Sequence, residues 1–313
     1  MSTAEVELSR PKAWLLAARP QTLPAAAAPV IVGSGVAAAE GVFELLPALF
    51  AFVGAALIQI GTNFANDYYD AINGADTEDR DGFTRVTQAG IIPARQVKLA
   101  TIITFALAIL SGTYLVYVGG VPILVVGLVS VFCGWAYTGG PYPLGYHGLG
   151  DFFVFVFFGV VAVVGTFYVQ AAAAAVEPLT TTLPEGTITR EAILASLPVA
   201  ALSTAIIVVN NVRDLETDAE TGKRTLAVRL GYRGSRIEFT ALLALAYLVP
   251  VWLWLAEGLG ASALLPLVSL PYAASIARTI WTRTDGEALN PALEATGKLL
   301  ALYAALFAGG LVI

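Results

Sequence analysis

Seven stretches of this sequence contain no Asp, Glu, Lys or Arg: residues 20–39, 45–66, 99–150, 152–176, 192–212, 239–256 and 258–277. A helix that crosses a bilayer needs about 20 predominantly apolar residues, so each stretch predicts at least one crossing. The run at 99–150 is too long for one. Gly119-Gly120 divides it, and the turn-forming Gly139-Gly140-Pro141-Tyr142-Pro143 ends its second half. The predicted fold class is an all-α membrane protein with nine transmembrane helices in a bundle. Their expected positions are roughly 20–39, 45–66, 97–117, 121–138, 151–172, 191–211, 237–256, 260–281 and 294–313. The first is too long for the apolar core of a secretory leader and lacks a small-residue cleavage pattern after Arg10, Lys12 and Arg19.

The distribution of basic residues gives the orientation, because Lys and Arg stay preferentially in the cytoplasm. With nine spans, the N-terminus and the loops after spans two, four, six and eight share one side. That side holds 16 of the 17 Lys and Arg residues; only Arg190 lies opposite. The expectation is a multi-pass protein of the cell membrane with its N-terminus and cap loops cytoplasmic and its C-terminus outside. The net charge of -6 is local: residues 63–85 sum to -4 and residues 210–224 to -1. Acidity concentrated in two loops argues against a nucleic-acid partner. The one cysteine, Cys133, lies inside a span, so neither an intrachain disulfide nor a cysteine metal site is possible.

Two predicted cytoplasmic loops are long, 67–96 and 212–236, and they follow the second and sixth spans. Each opens with asparagine at a helix end and runs into carboxylates: Asn63-Phe64-Ala65-Asn66-Asp67-Tyr68-Tyr69-Asp70, then Asn210-Asn211-Val212-Arg213-Asp214-Leu215-Glu216-Thr217-Asp218. This is a weak repeat of a four-helix unit, and repeated halves commonly place a shared site at their interface. The chain reads as a single domain, 1–313, with halves at about 20–138 and 151–281 and a final helix at 294–313.

On a helix, Asp67 and Asp70 fall on one face as an i, i+3 pair, and Asp214 and Asp218 as an i, i+4 pair. Carboxylates at a helix C-terminus are disfavoured by about 0.3–1 kcal/mol each, and two such clusters repel unless a cation lies between them. Oxygen donors without His or Cys suit Mg²⁺, which binds one or two carboxylates together with substrate phosphates. Arg85 follows the first motif, and Lys223 and Arg224 follow the second. Acid, metal and base at the mouth of an apolar bundle make a cradle for a diphosphate with a membrane-soluble tail, a polyprenyl diphosphate. Glu78, Asp79, Asp81 and Glu220 read instead as solvated charges.

These motifs resemble those of the UbiA superfamily of intramembrane aromatic prenyltransferases, in particular its 1,4-dihydroxy-2-naphthoate polyprenyltransferase branch of menaquinone synthesis. The matching stretches include Ala18-Arg19-Pro20-Gln21-Thr22-Leu23-Pro24, Asn66–Asp70 with Asn73-Gly74-Ala75-Asp76, Tyr137-Thr138 with Gly148-Leu149-Gly150-Asp151, Asn210–Asp214 through Gly231, and Asn290-Pro291-Ala292-Leu293. In the general first motif a third aspartate stands where this chain has Gly74, with Asp76 two residues on; the naphthoate branch shares that change.

The resemblance implies transfer of the polyprenyl group to 1,4-dihydroxy-2-naphthoate with loss of CO₂ and diphosphate. It implies Mg²⁺ as cofactor, with Asp67, Asp70, Asp76, Asp214 and Asp218 as metal ligands. Lys223 and Arg85 are the candidate catalytic cations; Asn63, Asn66, Asn210, Asn211, Tyr137, Tyr146 and Arg224 are the candidate substrate-binding residues. Asp151 is the sole charged residue between Lys98 and Glu177. It reads either as a cap for span five or as a base toward a naphthoate hydroxyl. Other acceptors, 4-hydroxybenzoate or a glyceryl phosphate, are the rivals within the superfamily. A cation transporter is the rival outside it, although transport sites lie near mid-membrane and these carboxylates lie at helix ends.

Overall fold

The computed structural model describes residues 9–74, 85–175 and 177–313. Asp76, with Glu78, Asp79 and Asp81, lies outside the described residues. All regular structure among the described residues is helical. A short helix α1 (Arg10–Ala18) leads into α2 (Pro24–Ala39), and the segment Arg10–Thr22 that contains α1 is bent by 45° from α2. Then follow α3 (Leu45–Ile72), α4 (Ala94–Ala136), α5 (Gly150–Ala175), α6 (Arg190–Arg213), the six-residue α7 (Leu215–Glu220), α8 (Leu226–Ala256), α9 (Ala261–Thr282) and α10 (Gly286–Val312). Seven of these are long and apolar enough to cross a membrane as continuous helices, and the bent pair of α1 and α2 is an eighth candidate. The protein is an integral membrane protein.

α4 is two helices folded at a hinge. A straight helix of its 43 residues would be about 65 Å long, twice a bilayer core. Gly120 instead takes φ 67°, ψ −156°, a backbone state closed to residues with a Cβ. The turn is tied to the loop after α5: Val121 N–H donates to Thr180 O and Leu179 N–H to Tyr117 O, both at 2.9 Å. The two halves then pack together on α3. A Cβ at Gly134 would lie 3.5 Å from the Phe105 ring, although the two residues would stand about 43 Å apart along a straight helix.

α6 is the centre of the bundle: 72% of its apolar window is buried, against 17% for α4. Small residues make this possible, since Ala195, Ala200, Ala201 and Ala205 are all fully covered. Helix α5 crosses it so closely at Gly159, inside a π-helical turn over Phe155–Val161, that a Cβ there would overlap Ala200. Phe167 of α5, Phe239 of α8, and Tyr303 and Phe307 of α10 are fully buried in the core to which α6 also contributes. Outward-facing Leu110, Phe132, Leu248, Leu255 and Val268 are more than half exposed, as suits surface that meets lipid rather than water.

The acidic motifs differ in form from the sequence expectation. α3 runs on to Ile72, so Asp67 and Asp70 lie within a helix rather than in the loop that follows it. α8 begins at Leu226, eleven residues before the predicted span, with a break at Gly231. Between α6 and α8, Asp214 ends one helix and starts the next: its backbone leaves the helical region (φ −91°, ψ 9°), and Asp218 lies one turn on in α7.

Candidate active site

Two cavities adjoin inside the bundle. One, of about 370 Å³, is apolar and lies between α2, α3, both halves of α4, and α5, with Pro29, Ile58, Val131, Phe157 and Val161 in its wall. The other, of about 200 Å³, is polar and sits at the helix ends that carry the acidic motifs. They share Ala25, Thr62, Tyr137, Val154 and Phe158. The apolar side alone fits a hydrocarbon chain, and the polar side alone fits a charged head group.

The polar cavity gathers residues from both motifs. Asn63, Asn66, Asp70 and Arg85 line it from the first, and Asn210, Asn211, Asp214, Asp218 and Lys223 from the second; Tyr137 and Tyr146 complete the wall. Arg85 donates to Asp70 Oδ2 at 3.0 Å, and Tyr146 Oη donates to Asp70 Oδ1 at 2.5 Å. Lys223 Nζ spans the two motifs, 3.5 Å from Asp70 Oδ1 and 3.8 Å from Asp218 Oδ1. Arg213 holds Asp214 in a two-pronged pair, Nε to Oδ1 at 2.7 Å and Nη2 to Oδ2 at 2.8 Å. The same guanidinium donates to Asn210 Oδ1 and, across to α10, to Asn290 Oδ1.

Several expected residues stand elsewhere or have other work. Asp67 does not line either cavity. The backbone N–H and hydroxyl of Thr87 donate to its Oδ2 at 3.1 and 2.5 Å, pinning the loop after Arg85. Arg224 is exposed and outside both cavities, its backbone N–H donating to Tyr146 O. Asp151 is buried at the start of α5 and lines neither cavity; its Oδ2 has no hydrogen-bond partner. Its neighbour Gly150 packs against the Tyr137 hydroxyl. Asn63 lines the cavity, but its amide nitrogen donates to Ala18 O and Thr22 Oγ1, stitching α3 to the α1–α2 bend.

The structure adds residues that sequence reasoning passed over. Arg19 lines the polar cavity from the bend, in a left-handed backbone conformation (φ 51°) unusual for a residue with a side chain. Arg213 and Asn290 anchor the second motif. Two carried a signal: Arg19 stands directly before a proline, and Arg213 directly before the first aspartate of its motif.

The cavity chemistry fits Mg²⁺ bound together with phosphate. Carboxylates of both motifs converge on one cation, Lys223, from oxygen-only donors. Among the described residues, no cluster of three or more acidic, His or Cys groups is poised to hold a metal alone. Mg²⁺ that takes one or two carboxylates and completes its shell with substrate phosphates suits such a site.

A family model described as the UbiA prenyltransferase family matches residues 26–306. The chain belongs to this family. It is 39% identical to a 1,4-dihydroxy-2-naphthoate octaprenyltransferase of Escherichia coli, over 98% of this chain and 97% of that one. In fold it is similar to the apo structure of a UbiA homologue from Aeropyrum pernix, with a TM-score of 0.70 and 14% identity over 90% and 96% of the two chains. It is also similar to a UbiA homologue from Archaeoglobus fulgidus bound to GPP and Mg²⁺, with a TM-score of 0.61 and 17% identity over 94% and 99%. This UbiA-family chain is therefore a membrane-embedded prenyltransferase.

Proposed function

We propose that the protein transfers a polyprenyl group from its diphosphate to 1,4-dihydroxy-2-naphthoate, releasing diphosphate and CO₂. The observation that carries this reading is the adjoining pair of cavities, one ringed by carboxylates and cations and the other predominantly apolar and without a charged residue. The acceptor is argued from the E. coli relative, matched over nearly its whole length. The Archaeoglobus homologue bound to GPP and Mg²⁺ supports a metal–diphosphate head group on this fold.

In this reading Arg85 and Lys223 bind the diphosphate oxygens. Asp70, Asp214 and Asp218 would hold Mg²⁺, which when bound neutralises charge on the departing diphosphate. The allylic C–O bond breaks with its electron pair leaving on diphosphate. The apolar cavity shields the resulting cation from water, and the Phe157 and Phe158 rings line its path. The ring carbon that bears the carboxylate attacks the cation, and the bond to that carboxylate then breaks to give CO₂. Tyr137, at the junction of the cavities, contacts the acceptor, and Asp151 stands behind it.

The membrane arrangement belongs to the same proposal: nine crossings within a single domain, with the hinge at Gly120 separating the third from the fourth. The polar cavity faces the cytoplasm of a cell membrane, as the sidedness of the basic residues supports. Purified protein supplied with a polyprenyl diphosphate and a panel of aromatic acids tests the reaction. The expected product is prenylated naphthol lacking the carboxylate, found by mass analysis. Prenylation of 4-hydroxybenzoate with the naphthoate untouched overturns the acceptor assignment.

A further inference from the structure

Three carboxylates of the two acidic motifs are already paired with the chain's own cations. Asp70 is paired with Arg85, Asp214 with Arg213, and Asp218 with Lys223, whose ammonium also reaches back to Asp70. All six residues are buried, none more than 9% exposed. Lys223 is held from a further side, with its Nζ 4.8 Å from the centroid of the Tyr146 ring and the Tyr146 hydroxyl bound to Asp70. Its ammonium thus stands where a divalent ion bridging the motifs would have to stand.

We infer that Lys223 is a built-in counter-ion that bars divalent metal from the two motifs until a diphosphate arrives with it. This deepens the proposed prenyl-diphosphate reading and rests on it. A bare metal ion entering the site must displace the ammonium and leave it buried beside a second cation, an arrangement that costs several kcal/mol. A diphosphate removes that cost. Its oxygens accept charge-assisted hydrogen bonds from Lys223 and Arg85, which frees Asp70 and Asp218 for the metal. Metal and diphosphate therefore bind with positive coupling, and the empty enzyme stays free of metal.

The test measures Mn²⁺ affinity by EPR on detergent-purified protein, with and without geranyl thiolodiphosphate, an analogue whose allylic bond resists cleavage. In the wild type the analogue should tighten Mn²⁺ binding about tenfold or more, the usual scale of coupling between two ligands. Lys223→Met should bind Mn²⁺ alone about tenfold tighter than the wild type, while Lys223→Arg, which keeps the charge, should not. Unchanged Mn²⁺ affinity in folded Lys223→Met overturns the inference. So does a wild type whose Mn²⁺ affinity is the same with and without the analogue, a comparison that stands even where the methionine variant does not fold. A wild type that binds neither analogue nor Mn²⁺ in any combination overturns the inference together with the prenyl-diphosphate reading. Metal entry in Lys223→Met is measured without substrate, so it separates the two failures.

Discussion

Arg213 grips both carboxylate oxygens of Asp214, its neighbour in the chain, at 2.7 and 2.8 Å, while its Nη2 also reaches Asn210 and its Nη1 reaches Asn290. One buried guanidinium thus ties the second acidic motif to the last helix. Breaking a buried pair from one side costs about 3–5 kcal/mol, because the surviving charge is left uncompensated. Arg213→Met should accordingly lower the melting temperature in detergent sharply, and adding Asp214→Asn should recover most of the loss. A double variant as unstable as the two single losses added together shows that the pair is not coupled.

Asp70 joins three side chains of the site, Arg85, Tyr146 and Lys223. Asp70→Asn keeps the shape but lowers the charge that holds the two cations and that would, in the proposed reaction, hold Mg²⁺. Turnover should fall by orders of magnitude while the protein remains monodisperse in detergent, and raising Mg²⁺ should not restore it. Near-normal activity across a Mg²⁺ titration removes Asp70 from the site.

The hinge in α4 can be tested without reference to chemistry. Gly120 sits at φ 67°, and a Cβ there would lie 2.0 Å from Thr180 O. Gly120→Ala adds about 1–2 kcal/mol of left-handed backbone strain to a steric overlap that forces the 177–180 loop to move. The expected result is a clear drop in folded yield and melting temperature, larger than for Gly127→Ala, whose Cβ meets nothing within 4 Å. Equal behaviour of the two variants contradicts the hinge.

Much of this architecture was legible in the charge gaps. The break at Gly119-Gly120, the two acid motifs and most of the polar cavity follow from where charges and glycines fall. What was not legible was direction. Helix α3 continues past the membrane edge, so its spacing puts Asp67 and Asp70 a turn apart, yet only Asp70 lines the polar cavity while Asp67 holds Thr87. Sequence spacing alone does not say which flank of a helix meets which neighbour. Arg213 and Asn290 are 77 residues apart, and no local pattern joins them. Arg19 needed the bend between α1 and α2, a tertiary feature held by Asn63 and Gln59 through Thr22.

Asp151 separates stability from function. It is 5% exposed at the start of α5, its Oδ2 has no hydrogen-bond partner, and no other residue's N–H is capped by it. The helix N-terminus favours its charge by about 0.3–1 kcal/mol, less than the cost of about 1–3 kcal/mol for burying an unpaired polar group. A plain helix-start role therefore leaves the residue unexplained. Tyr137 supplies a reason: it lines both cavities, and a Cβ on Gly150, the residue before Asp151, would lie 2.7 Å from its hydroxyl. In the proposed reaction Asp151 would be a positioning residue, acting on the acceptor through Tyr137 rather than by touching it. Asp151→Asn should leave the melting temperature equal or higher, since a buried uncompensated charge is removed. Turnover should fall by about 10²-fold or more, the lower end of what acid–base assistance contributes, with prenyl-diphosphate affinity unchanged. Tyr137→Phe should give a similar loss, and the double variant should be little worse than either alone, because both act along one path. Additive losses in the double variant detach Asp151 from Tyr137, and full activity in Asp151→Asn reduces it to a buried charge at the start of a helix.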